Sequence, residues 1–219
     1  MGEVGGTYAS CRARITELVQ GLDGEQAAVR VAACPGWSAH DVVAHVTGVV
    51  DDVLSGRLDG VASEPWTAAQ VEARRAQSID DMLADWGAKA PAFERFLDDV
   101  GDPGRQAVAD LVTHEHDLRG ALGRPGFRDS DAVAIAYEFI ARGFVNTARA
   151  RGLRVKVGAM GDDDAPLVLS GDPFTLLRAM TGRRDVQQLR SLHWQGDPEV
   201  ALAAFTWGPF QPSPHAIDE

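Results

Sequence analysis

The stretch DLVTHEHDLRG, residues 110–120, sets two histidines and three acids between Asp110 and Asp117. Side chains of these types bind divalent cations or move protons. At helical spacing Asp110, His114 and Asp117 fall at i, i+4 and i+7 on one face, flanked by Ala107, Leu111 and Leu118. Glu115 and His116 then point elsewhere, and are expected in solvent. An Asp and a His four apart can share one cation, as the two histidines of a zincin helix do. A tetrahedral zinc site of the catalytic type also needs a third protein ligand and an open position. His45, inside the apolar run DVVAHVTGVV, offers that third donor, because an imidazole there is costly unless it is paired. Spacing alone leaves the blander readings open: a hydrogen-bonded core histidine, and a simple polar contact between Asp110 and His114.

These donors must be positioned by helices. Ile15, Leu18, Val19 and Leu22 recur at helical spacing over residues 7–22. Ser38, with Asp41 three residues on, opens a second helix carrying Val42, His45, Val46, Val49 and Val53 on one face, with Gly56 at its end. RLDGVASEPW reads as a loop, with a short helix after Thr67. Ser78 and Asp81 open the next helix, which Pro91 kinks or breaks. The helix bearing Asp110 starts near Pro103 and closes at Gly123, and another, capped by Asp129 or Ser130, runs to about Arg151. After Gly152 the period changes. LRVKVG, APLVLSGDP and LRSLHWQGD read as strands, FTLLRAMTG as a short helix, and the proline-rich tail as irregular. The expected architecture is α+β, with a helical bundle over residues 1–151 and a small α/β domain over 152–219.

Composition narrows the partners. The chain has 219 residues and a formal charge of −11, with basic groups scattered, which argues against a nucleic-acid partner. No run of 18 apolar residues spans a membrane, and the N-terminal stretch lacks a signal-peptide pattern. Cys11 and Cys34 do not form a CxxC, so a reducing, cytoplasmic setting is the simplest expectation.

The segments CPGWSAHDVVAHVTG, GRLDGVASEPWTAAQV and DLVTHEHDLRGALG closely resemble the mycothiol-dependent maleylpyruvate isomerase family. SGDPFTLLRAMTGRRDVQQLRSLHWQGDP resembles the small C-terminal α/β domain of many relatives. The resemblance implies a DinB-like bundle and a divalent metal, zinc the expected ion. It places the ligands on His45, Asp110 and His114. Asp110 stands where Glu is common in the isomerases, and its shorter side chain brings the metal nearer the helix backbone or weakens it. The resemblance also implies mycothiol, the small thiol of actinobacteria, as cofactor. A thiol sulfur at the open metal position would ionise near neutral pH and attack a small electrophilic substrate. With maleylpyruvate it would add to the cis double bond, allow rotation and leave. Many members perform other thiol transfers, so the reaction is a transferase or isomerase step of unspecified substrate. Two alternatives stand beside it: a metal- or ligand-binding bundle without turnover, and a metal-dependent hydrolase, which lacks an evident general base.

Other residues carry two readings each. Trp37 reads as a hydrophobic staple ahead of contact with a ligand. Cys34 reads as a small buried residue ahead of a reactive thiol. Asp117 is either a hydrogen-bond acceptor for a ligand histidine or a surface acid. Arg183 and Arg184 could grip the carboxylates of the thiol or an acidic substrate, against the reading that they cap a helix end. His193 and Trp194 belong to a strand, and His40, His116 and His215 look exposed.

Overall fold

A computed structural model describes residues 2–219. The chain divides into two compact units, Met1–Gly126 and Phe127–Glu219.

The first unit is a four-helix bundle with two short helices added. Helices α1 (Glu3–Val19), α3 (Ala39–Leu54), α5 (Ile79–Val100) and α6 (Arg105–Ala121) form the bundle, with α2 (Gly24–Ala27) and α4 (Glu64–Arg74) between them. α1 packs on α5 and α6, and α3 packs on the same two helices and on α4. The core between them holds Ile15, Val42, Val46, Trp86, Phe93 and Leu111. Ser38 caps α3 through the expected box with Asp41, and the Ser78 side chain accepts from the Asp81 amide at the start of α5. α5 runs unbroken through Pro91. α4 starts at Glu64, earlier than the expected position after Thr67, because Pro65 fills its first turn, where the missing N–H costs nothing.

The second unit is built on α7 (Asp131–Ala150) and a three-stranded sheet of β1 (Val155–Val157), β2 (Leu167–Ser170) and β3 (His193–Gln195). β1 pairs parallel to β2 with Val155 opposite Leu167, and β2 pairs antiparallel to β3 with Leu169 opposite Trp194. Helices α8 (Pro173–Met180) and α9 (Val186–Arg190) connect β2 to β3. The third expected strand is therefore shorter than LRSLHWQGD, since Leu189 and Arg190 end α9.

The compact units part between Gly126 and Phe127, ahead of the expected division near Gly152. The change of period at Gly152 does mark where strands begin. It is not where packing changes partners, because α7 packs against α8 and β1 and joins the second unit. The tail is irregular, as expected, yet anchored. Glu219 takes ion pairs from Arg178, which is fully buried, and from Arg184, and Gln188 exchanges hydrogen bonds with the Ile217 backbone.

Candidate metal centre

α3 and α6 bring His45, Asp110 and His114 together. Their donor atoms all lie within 4.8 Å of one another. His45 Nε2 stands 3.6 Å from Asp110 Oδ2, and His114 Nε2 stands 3.7 Å from Asp110 Oδ1. The two rings are 5.0 Å apart and nearly perpendicular. Separations of this size exceed a hydrogen bond. Two ligands at ~2.0–2.1 Å from one tetrahedral ion stand roughly 3.3 Å apart, so the spacing fits donors arranged around a cation.

The hydrogen bonds behind the two rings determine which nitrogens face the centre. His45 Nδ1 is 2.7 Å from Gln70 Oε1, and Gln70 Nε2 donates to Asp52 Oδ2 at 2.7 Å. A carboxylate only accepts, so the Gln70 amide must turn its NH2 to Asp52 and its carbonyl to His45. His45 Nδ1 therefore carries the proton, and the Nε2 lone pair points toward Asp110. On the other side, His114 Nδ1 is 3.0 Å from Asp117 Oδ2, whose side chain is fully buried. The same logic leaves the His114 Nε2 lone pair facing the centre. Both imidazoles are thus held by a second partner in the manner of metal-ligating histidines.

The CPGW segment contributes to this support. Trp37 N donates to Cys34 O across a turn with Pro35 second and Gly36, at φ +90°, third, as a type II turn requires. The turn delivers two side chains. Cys34 Sγ donates to Asp117 Oδ2 at 3.3 Å, and the Trp37 ring lies 5.2 Å from the His45 ring and 6.2 Å from that of His114. Trp37 thus lines the centre, a role beyond the expected staple. Trp66 stands edge-on to His45 at 6.5 Å, its indole N–H donating to Arg57 O. The two histidine side chains are 4% and 10% exposed against 38% for Asp110, so solvent reaches the centre past the carboxylate. Cys34, His114 and Asp117 make a second convergent group. Its closest separation, between His114 and Asp117, is a hydrogen-bond length, which marks the group as support for the first.

Glu115 and His116, expected in solvent, are buried. α6 is buried all round over Leu111–Arg119, with α1 and α3 both packed against it. Glu115 is satisfied inside the bundle by Arg14 of α1, by Arg119 one turn on, and by the Cys11 thiol at 3.1 Å. Burial opposes its charge, but the hydrogen bonds from Arg14 and Cys11 outweigh that and hold its carboxyl below the ordinary range. Burial and the neighbouring Glu115 push the Cys11 thiol well up, so it remains a neutral donor.

Arg183 and Arg184 belong to the second unit. Arg183 donates to Thr181 O at 2.6 Å, and Arg184 donates to Arg183 O and pairs with Glu219 at 3.2 Å. The sequence does not single out Gln70, Asp52 or Trp66: Asp52 reads as one of the charges late in the second helix, and Trp66 and Gln70 fall in a stretch that reads as a loop and a short helix. Gly48 explains how that helix comes so close. A Cβ at Gly48 would lie 2.6 Å from Gln70 Cβ, so only glycine lets α4 approach α3 this closely.

Residues 8–125 match the family described as the mycothiol maleylpyruvate isomerase N-terminal domain. No curated protein and no solved structure matches the chain.

Proposed function

The chain belongs to the mycothiol maleylpyruvate isomerase N-terminal domain family, and from that premise we propose a metal-dependent enzyme that uses mycothiol to transfer or isomerise a small electrophilic substrate. His45, Asp110 and His114 hold the ion, zinc by the chemistry of two imidazoles and a carboxylate. The bound dication supplies a position at which a thiol sulfur ionises near neutral pH. Gln70 and Asp117 keep both imidazole lone pairs on the centre, and Asp52 and Cys34 hold those two in turn. Trp37 and Trp66 keep water from the His45 side. The exposed edge of Asp110 leaves a way in for thiol and substrate. The observation that carries this reading is the convergence of two imidazole Nε2 atoms on one carboxylate with both Nδ1 atoms tied behind.

The test has two steps. Elemental analysis of purified protein is expected to find one divalent ion per chain, absent from the His45→Ala/His114→Ala double variant. Calorimetric titration of mycothiol into metal-loaded and metal-free protein should then show binding that needs the metal. Stoichiometric metal in the double variant removes the site. Equal thiol affinity with and without metal removes the thiol-using reading and leaves a bundle that holds metal without turnover.

A further inference from the structure

Two protons meet at one oxygen behind His114. The Cys34 thiol donates to Asp117 Oδ2 at 3.3 Å, and His114 Nδ1 donates to the same oxygen at 3.0 Å. Cys34 Sγ and His114 Nδ1 are themselves 3.8 Å apart, so the three donor atoms converge as those of the first centre do. A tetrahedral ion with sulfur at about 2.3 Å and nitrogen or oxygen at about 2.0–2.1 Å would set the sulfur roughly 3.5 Å from each of the others, and the nitrogen and oxygen roughly 3.3 Å apart. The three observed separations each lie within about 0.3 Å of these values, so one cation can take the place of the two protons with small side-chain movements. Cys34 is half-buried, and Pro35 and Gly36 of its turn are exposed, so a small ion can reach the sulfur beside the turn. The donor set differs from that of the first centre by its thiol, which favours soft cations.

We propose that Cys34, Asp117 and His114 Nδ1 form a second cation site, for a soft thiophilic ion such as Cd2+, and that its occupation excludes an ion held by His45, Asp110 and His114 Nε2. The exclusion rests on the metal reading above, and the site itself does not. On binding, Cys34 gives its thiol proton to solvent and a sulfur–metal bond forms. His114 coordinates through Nδ1, and the single proton of its neutral ring passes to Nε2. Nε2 then has no lone pair to offer and faces Asp110 as a donor. His45 and Asp110 alone remain at the first centre, one protein ligand short of a catalytic zinc site. The group that supports His114 while Cys34 keeps its proton thus withdraws His114 once a thiophilic ion replaces that proton.

The test uses the full chain. Metal-free protein is titrated with CdCl2 without oxygen, following the thiolate-to-cadmium charge-transfer band in the ultraviolet. A saturable band is expected, lost in Cys34→Ser, whose hydroxyl keeps the hydrogen bond to Asp117 and with it the fold. Asp117→Asn should weaken cadmium binding by at least about tenfold, since a lost ligand costs no less than a lost outer partner. No band in the wild type, or a band of equal affinity in Cys34→Ser, overturns the site, and the latter would place the sulfur at Cys11. The band should persist in His45→Ala, which takes apart the first centre and leaves the second whole. Its loss there would overturn the second site as a separate one. Zinc-loaded protein is then titrated with CdCl2, with zinc release read by a chromophoric chelator. Release in step with the band is expected in the wild type, and none in Cys34→Ser at the same cadmium concentration. A band that grows while zinc stays bound, or release as complete in Cys34→Ser as in the wild type, overturns the exclusion. Protein that takes up no zinc would overturn the metal reading and the exclusion with it, while the band still decides the second site.

Discussion

His45 and His114 can act as ligands only because other side chains decide which way their protons point. Gln70 is the most informative of these, since its amide is oriented by Asp52 and in turn orients His45. Gln70→Ala should weaken metal binding by about 10- to 100-fold, the usual cost of losing such a partner, with helix content unchanged. Competition with a chromophoric chelator would measure it. Unaltered metal affinity in that variant would mean that His45 Nδ1 needs no fixed acceptor, against the tautomer argument above. His45 and the Asp110/His114 pair were legible in the sequence, from an imidazole in an apolar run and an i, i+4 spacing. Gln70 was not, because its partner His45 is 25 residues away and no local pattern announces a contact across two helices.

At the scale of elements, the centre depends on how closely α4 lies against α3. Gly48 sets that distance, since an added methyl would run into the Cβ and Cγ of Gln70 and the Arg74 guanidinium. Gly48→Ala should therefore push α4 outward, costing about 1–3 kcal/mol of stability by overpacking, and draw the Gln70 carbonyl away from His45. The expected readouts are a lowered denaturant midpoint and weaker metal binding together. Stability raised, as alanine does in an unobstructed helix, would show that α4 has room to spare. The helices themselves were readable from period and caps, with Ser38 and Ser78 starting α3 and α5 as their spacing indicates. Which faces they bury was less readable. α6 looks amphipathic by its charges, yet Glu115 and His116 are as buried as its leucines.

For the whole molecule, charged groups buried within each unit set its response to pH and to substitution. The folded carboxyl of Glu115 titrates below its ordinary value of 4.5. Its contribution to stability is therefore complete above the unfolded value and is lost as the pH falls from about 4.5 through the lower folded value. Urea midpoints of metal-free protein should fall more steeply over that range in the wild type than in Glu115→Gln. Parallel curves would show that the Arg14–Glu115–Arg119 cluster does not govern acid stability. In the second unit, Arg178 and Arg184 clasp Glu219. Arg184→Ala should lower the melting temperature, because the tail then keeps only Arg178 on Glu219, and leave metal content unchanged; an unaltered melting temperature would show that Arg184 does not secure the tail.

The sequence by itself determined the class of fold, the capped starts of α3 and α5, the onset of strands after Gly152 and the i, i+4 pair of Asp110 and His114, because caps, periodicity and spacing are local properties of the chain. Its resemblance to a family rests on the same local segments. Tertiary structure alone decided what stands behind those donors. It set Gln70 and Asp52 behind His45, brought Cys34 and Trp37 to the centre on one turn, and assigned α7 to the second unit. It also turned Glu115 into a buried, triply held carboxylate. Each of these depends on contacts between segments far apart in the chain, where burial and hydrogen-bond satisfaction are settled by whichever helix packs alongside.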